Sequence, residues 1–277
     1  MNRPSISIVT PSFNQANYLR ECLASVEMQN HTHIEHLVFD GGSRDASPEV
    51  LREFANGHPY LHWVSEKDNG QSDAINSGFR RAKGEIIGWL NADDRYRPGC
   101  FAAVLQAFRD HPDIDVIYGD YTWIDPAGTM LQLRREISFS RFVLLYHRVL
   151  YIPTTAMFFR RSILDAGQFL DDELHYAMDF EFFVRLSSLR YSFMHLSAVL
   201  ADFRFHPDSK SSLFPERQER EQTQIMQRYS PILSRCSTQW IADMLSKPLR
   251  LAAAARRYSE KALRGYYFNQ FRPGRVG

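Results

Sequence analysis

The chain is poor in cysteine and pairs none of it. Cys22, Cys100 and Cys236 stand far apart among 277 residues, which argues against a zinc motif or a disulfide framework and fits a reducing compartment. No apolar run approaches the roughly 20 residues that cross a bilayer. The opening MNRPSISIVTPSF lacks the apolar core of a signal peptide. Neither export nor membrane spanning is expected, so the expected location is the cytoplasm. No GxGxxG run occurs, which disfavours a dehydrogenase. No internal repeat is evident, and low complexity is confined to Ala252–Ala255. With 44% hydrophobic and 23% charged residues, the composition also speaks against extended disorder.

What charge there is lies unevenly. The net charge is +1, but residues 1–209 carry 20 Lys/Arg against 27 Asp/Glu, and residues 210–277 carry 13 against 5. An acidic body with carboxylates suited to a divalent cation is followed by a basic tail that suits anionic lipid or water. The basic residues form no nucleic-acid module, and no nucleic-acid partner is expected.

Apolar runs and amphipathic segments alternate through the first half. Strands are predicted at Ser5–Thr10, His36–Asp40, Leu61–Ser65, Ile86–Leu90 and Val116–Gly119. Helices are predicted at Tyr18–Gln29, after the Ser47-Pro48 start, at Gln71–Lys83 and at Phe101–Arg109. Such alternation implies an α/β domain with a mostly parallel sheet, whose ligands gather at the carboxyl ends of the strands. Polar clusters fall at those ends: Thr10-Pro11, Asp40-Gly41-Gly42 and Asn91-Ala92-Asp93-Asp94. The second half reads as a hairpin turning at Asp125–Gly128, an apolar run at Ala156–Phe159, a helix at Met178–Leu189 and a strand at Val199–Arg204. After about residue 210 the composition becomes helical and basic.

Five constellations have chemical potential. Asp93 and Asp94 at a strand end can hold Mg²⁺ or Mn²⁺ with few protein ligands, leaving positions for diphosphate oxygens, although an isolated acidic pair is more often a solvated turn. Asp40 precedes two glycines that let the backbone approach a ligand, and can equally belong to a tight turn. The helix from Gln71 begins among polar groups, with Asp73 and Asn76 on one face and small Ala74 and Gly78 for close packing; a well-capped surface helix explains it as readily. In MDFEFF, Asp179 sits among aromatics that raise a carboxylate's pKa and suit a general base, or it simply faces a helix dipole. FRFHPDSKS gathers Arg204, His206 and Lys210, candidates for phosphate and metal, or a solvated basic loop. His31, His33 and His36 cross a loop-to-strand junction without a second ligand pair and are read as ordinary histidines. Trp63, Trp89 and Trp123 are read as packing residues, with Trp123 the one candidate for an acceptor platform.

In this order the runs TPSFNQANYLRECLASV, FDGGSRDAS, SEKDNGQSDAINSGFRRAKGEIIGWLNADDRYRPG, PTTAMFFRRS, MDFEFFVRL and FRFHPDSKSS resemble a family 2 glycosyltransferase, inverting, of the GT-A fold, over residues 4 to about 211. The resemblance implies a Rossmann-like nucleotide-binding sheet flanked by helices, with a C-terminal helical extension. Residues 1–210 would form the catalytic domain, donor part about 1–120 and acceptor part about 121–210, and 211–277 the extension. It implies that Thr10 and Pro11 border the base, Asp40 reads it, and Asp68 and Asp73 belong to the donor site. Asp93 and Asp94 fall on the metal and ribose motif, Asp179 on the catalytic base, and His206 on a late metal ligand. Asn91 stands where many members carry Asp, and Gly41 where many carry a second Asp. The first departure moves the expected metal role to Asp93 and Asp94, with Asn91 kept as a donor contact; the second leaves Asp40 alone to the base.

The implied reaction moves a sugar from a UDP- or dTDP-linked donor to a hydroxyl of a saccharide or lipid-linked acceptor, with Mn²⁺ or Mg²⁺. The setting implied is bacterial polysaccharide, O-antigen or glycolipid assembly. A sugar-1-phosphate nucleotidyltransferase would need a Gly-rich, Lys-containing loop that TPSFNQANYLR lacks. A sugar-nucleotide-binding protein without catalysis is disfavoured by Asp93, Asp94 and Asp179. The tail KPLRLAAAARRYSEKALR, followed by Tyr266, Tyr267, Phe268 and Phe271, reads either as a helix packed on the body or on a second copy, or as a contact with the inner face of a membrane.

Overall fold

The computed structural model describes residues 5–206, 214–236 and 238–267. Four strands form its parallel half: β1 (Ile6–Ser12), β2 (Ile34–Asp40), β3 (Leu61–Ser65) and β4 (Ile86–Trp89), in the spatial order β3-β2-β1-β4. β1, β2 and β4 are buried throughout, as strands covered on both faces must be, and this explains their unbroken apolar composition. Helix α1 (Ala16–Glu27) follows β1, α2 (Ser47–Ala55) follows β2, and α3 (Gln71–Arg81) follows β3.

The other half of the sheet departs from the mostly parallel expectation. β5 (Arg95–Tyr96), β6 (Val116–Ile124), β7 (Met130–Arg134), β8 (Met157–Arg160) and β9 (Phe193–Arg204) extend the order as β4-β8-β6-β9-β5, with β7 hairpinned onto β6. β8 runs antiparallel to both β4 and β6, while β6 and β9 are parallel with register shifts around Asp120. The hairpin turns where predicted, since Gly128 N–H donates to the Asp125 carbonyl at 2.9 Å.

Helices α4 (Cys100–Asp110), α5 (Arg141–His147), the short α6 (Ser162–Asp165) and α7 (Met178–Ser188) complete the body. One face of the sheet packs Ile6, Ile8 and Ile117 against Cys22 and Val26 of α1 and Phe101 and Val104 of α4. The other packs Val9, Trp89 and Phe159 against Ile75 and Phe79 of α3, and Phe182 of α7. Gly78 lets α3 lie this close: a Cβ there would sit 2.3 Å from a methyl of Val9. The small-residue face anticipated on α3 thus has a specific use.

Beyond residue 213 come α8 (Pro215–Tyr229) and α9 (Gln239–Leu263). Ile225 and Met226 of α8, and Ala242 and Ala253 of α9, join the same apolar cluster as α5 and α7. Among the described residues, no helix is long and apolar enough to cross a membrane.

Candidate active site

The carboxyl ends of the parallel neighbours β1, β2 and β4 lie at one edge of the sheet, and they carry Thr10, Pro11, Asp40 and the Asn91–Asp94 turn. β1 ends in Thr10, Pro11 and Ser12, all buried, and then exposes Phe13 at 59% of its surface. Thr10 is turned inward, its hydroxyl 2.9 Å from His36 Nε2. Asn14 takes a left-handed conformation (φ 53°) and its backbone N–H donates to Ser43 Oγ at 2.7 Å. Arg44 N–H returns a bond to Asn14 Oδ1 at 2.9 Å, so the turns after β1 and β2 brace each other.

Asp40 lies deeper than expected for a residue that reads a base. It is 2% exposed. Its carboxylate accepts from Ser43 N–H at 2.9 Å, from Ser43 Oγ, and from Ser65 Oγ at 2.6 Å. Asp68 packs on the following glycine: a Cβ on Gly41 would lie 2.7 Å from Asp68 Oδ2. A side chain at position 41 would require the end of the Asp68 side chain to move aside. Asp68 Oδ1 accepts from Gly70 N–H at 2.9 Å, and Asp73 Oδ2 accepts from Asn69 N–H at 3.1 Å, so both organise the loop that starts α3.

At the end of β4, Asn91 accepts the Trp89 indole N–H at 2.9 Å and the Gln71 amide at 3.3 Å on one oxygen. Its backbone carbonyl accepts from Asp94 N–H at 3.1 Å, closing the turn.

The two aspartates that follow diverge. Asp94 is 2% exposed and points into the protein, its oxygens taken by the Thr155 hydroxyl and by Arg204 N–H at 2.8 Å. Burial raises its pKa well above the usual carboxylate range, and the charge of Asp93 adds to this. The expectation that it faces a metal conflicts with this placement. Asp93 is partly open, and its Oδ2 lies 3.0 Å from Nε2 of His206, whose ring is 5.2 Å from that of Tyr18. The structure thus joins Asp93 and His206, 113 residues apart, at the mouth of the strand ends. Among the described residues, no three His, Cys, Asp or Glu side chains are grouped as a metal cage.

Arg204 is buried and has no free hand for phosphate. Its guanidinium donates to the carbonyls of Asp93 (2.8 Å), Asp125 (3.1 Å) and Pro126 (2.8 Å), and pairs with Glu21 at 2.7 Å. It staples the Asp93 turn to the β6–β7 turn and to α1, a role that sequence spacing does not signal. Pro207 to Ser211, including Lys210, lie outside the described residues.

Asp179 is the second residue of α7 and half-buried, with Oδ1 accepting from Phe180 N–H at 2.7 Å. The segment before it is tied to the donor-side helix: Ser72 Oγ donates to the Leu174 carbonyl at 3.0 Å, and Asn76 holds Leu170 by bonds of 2.9 and 3.0 Å.

Comparison with known proteins places this arrangement. The backbone superposes on S. aureus TarS 1-349 in complex with UDP-GlcNAc with a TM-score of 0.64 and 16% identity, covering 96% of this chain and 76% of that one. It matches a mannosyltransferase from Pyrobaculum calidifontis in complex with GDP-Man and Mn²⁺ with a TM-score of 0.64 and 18% identity, covering 92% and 75%. The fold is that of the GT-A glycosyltransferases, an α/β sheet flanked by helices with C-terminal helices attached. Residues 7–167 match the family described as Glycosyl transferase family 2, and the chain belongs to that family.

An uncharacterised glycosyltransferase of Mycobacterium tuberculosis is 30% identical over 185 residues, 66% of this chain and 68% of that one. A Nostoc glycosyltransferase, also uncharacterised, is 29% identical over 167 residues. The chondroitin synthase of Pasteurella multocida is 27% identical over 215 residues, 75% of this chain. The matches span 52% of the Nostoc protein and 21% of the chondroitin synthase.

Proposed function

We propose that the protein is an inverting glycosyltransferase that moves a hexosyl or related group from a nucleotide-diphosphate sugar to a hydroxyl of a saccharide or lipid-linked acceptor, in polysaccharide, O-antigen or glycolipid assembly. The observation that carries this is the pairing of Asp93 with His206 at the strand-end mouth. The carboxylate of Asp93 and the imidazole of His206, hydrogen-bonded at 3.0 Å, form an oxygen-and-nitrogen donor pair at the strand ends that could hold a divalent cation. Oxygen with nitrogen suits Mn²⁺ better than Mg²⁺. Asp93 and His206 would hold the ion, which when bound neutralises the diphosphate leaving group. Asp94 serves as a strut for this turn, fixed by Thr155 and the Arg204 backbone.

The remaining roles belong to side chains on the two flanks. Thr10 and Pro11 shape the floor under the nucleotide base, and exposed Phe13 offers a ring on which a base can stack. Asp40 orders the 40–43 turn along the base, with Asp68, Asp73 and Asn91 arranging the ribose and phosphate side. UDP or dTDP is the proposed nucleotide. The UDP-GlcNAc in the TarS complex supports the general kind of donor, and the mannosyltransferase complex with GDP-Man and Mn²⁺ supports the use of a cation. On the acceptor side, Asp179 takes the proton of the acceptor hydroxyl. As the acceptor oxygen bonds the anomeric carbon, the carbon–oxygen bond to the diphosphate breaks and the configuration inverts. Positioned base catalysis of this kind contributes ~10²–10⁴-fold in rate.

The deciding experiment is a thermal-shift and turnover screen with UDP-, dTDP- and GDP-sugars in Mn²⁺, Mg²⁺ or chelator. One nucleotide family should stabilise the protein with metal present, by about 2.7 kcal/mol at a hundred times its Kd. Asp93→Ala should abolish the metal-dependent part. Stabilisation without turnover would favour a sugar-nucleotide-binding protein, and absence of both with every donor and metal would favour a degenerate protein or an unusual donor.

We further propose that α9 rests on an anionic membrane surface, at the cytoplasmic face. Trp240, Met244, Leu251 and Tyr258 fall on one line of the helix, opposite Ala242, Ala253 and Arg257, which face the body. Exposed Lys247 and Arg250 lie on and beside the line, neither ion-paired among the described residues, against one exposed acid, Asp243. Two copies paired along this line would bring like charges together, whereas an anionic surface complements them.

A further inference from the structure

Helix α8 belongs to the C-terminal extension, yet it reaches the start of α7. Glu221 on α8 accepts backbone N–H bonds from three successive residues: His175 at 3.1 Å on Oε1, and Tyr176 at 2.8 Å and Ala177 at 2.7 Å on Oε2. Ala177 is the N-cap of α7 and offers no side-chain oxygen of its own. The backbone donors at a helix start lack intrahelical partners, and the dipole there favours an anion. A carboxylate from another element supplies both needs through charge-assisted bonds.

The grip continues around the same residues. Gln218 donates to the Tyr176 carbonyl at 3.3 Å, and Arg217 donates to the Tyr176 hydroxyl at 3.0 Å. On the other side, Ser72 and Asn76 of α3 hold Leu174 and Leu170. Residues 170–177 are therefore a strap drawn between the donor-side helix and the extension. Asp179 stands two residues past its end, so the backbone fixed by Glu221 sets where that carboxylate projects.

We propose that Glu221 is a positioning residue: by holding the backbone of residues 175–177 it fixes Asp179 against the acceptor hydroxyl, which makes the extension part of the catalytic unit. This rests on Asp179 being the general base. A carboxylate is required because Glu221→Gln replaces one acceptor oxygen by an NH₂ group that would oppose the backbone N–H donors.

The test compares wild type with Glu221→Gln, Glu221→Asp, Asp179→Asn and the Asp179→Asn/Glu221→Gln double variant, using the donor found in the nucleotide-sugar screen. Misplacement of a catalytic group by about 1 Å costs on the order of 10²-fold, so Glu221→Gln should lower kcat by roughly 10- to 100-fold while donor KM and Kd stay at wild-type values. Glu221→Asp, which keeps the charge on a shorter stem, should recover part of the loss. In the Asp179→Asn background the second substitution should cost less than two-fold, because its effect runs through a group already removed.

A Glu221→Gln enzyme within about two-fold of wild-type kcat overturns the proposal. So does an equal loss in both backgrounds, or a fall in Tm with loss of donor binding in both Glu221 variants, since the grip would then serve the fold alone. If Asp179→Asn itself turns over like wild type, it is the assignment of Asp179 that fails; if Asp179→Asn collapses while Glu221→Gln does not, Glu221 alone is wrongly assigned.

Discussion

Single side chains at the strand ends are governed by burial more than by charge. His36 on β2 is fully buried, its ring shared with Thr10, and burial pushes its pKa down to about 3. Folded, it is neutral through the acidic range; unfolded, it takes a proton below its ordinary value of 6.5. Stability from this group is therefore full above pH 6.5 and falls toward pH 3, at about 1.4 kcal/mol per pH unit. Urea unfolding at pH 7, 6 and 5 should show this slope, and His36→Gln should lose the part due to one proton. Equal slopes in the two proteins would assign the proton elsewhere. At the same scale, the motif after β4 was legible as a strand-end acidic pair, but the two aspartates were not distinguishable. Asp94 turns inward because Thr155 and Arg204, 61 and 110 residues away, wait for it there.

Whole elements were read best where one rule sufficed. β3 has its predicted bounds, β1, β2, β4, α1, α3 and α4 agree to within a few residues, and α2 starts at Ser47-Pro48, with Ala46 rather than Ser47 in the capping place, because buried parallel strands and amphipathic helices each imprint a period on the chain. Helix α5 (RFVLLYH) was not anticipated: seven residues without punctuation carry too little periodicity, and its place is set by packing against α7 and α9. α9 is anchored there by a buried ion cluster. Glu136 accepts from Arg257 at 2.8 Å and Lys261 at 3.0 Å, and all three are buried. Burial lowers the Lys261 pKa, opposed by Glu136. Glu136→Gln would leave two cations unpaired in the interior and should destabilise the protein by ~3–5 kcal/mol in denaturant titration. Replacing the three together by Leu, Met and Met should recover most of the loss; failure to recover would show that their packing, rather than their charge balance, matters.

For the molecule as a whole, the proposed membrane contact rests on the exposed line of α9. Trp240 and Leu251 expose 65% and 72% of their surface on the outward line of α9. From Trp240 to Tyr258 that line runs about 27 Å at 1.5 Å per residue. The protein should float with vesicles containing phosphatidylglycerol and not with phosphatidylcholine alone, salt should release it, and Leu251→Glu with Met244→Glu should prevent flotation. Absence of flotation, together with a dimer that the same substitutions dissociate, would make the line a self-contact instead. The aromatic run at Phe268 and Phe271 lies outside the described residues.

The sequence by itself determined the α/β alternation and the family, and singled out the strand ends as the candidate site, because these depend on local period and on short contiguous motifs. Tertiary structure decided which polar residues share a site. It sent Asp94 and Arg204 inward, joined Asp93 to His206, and laid Glu221 against the start of α7. Such pairings depend on how helices and an antiparallel half-sheet close over long separations. That closure is driven by non-directional burial of apolar surface, and no local pattern in the chain encodes its partners.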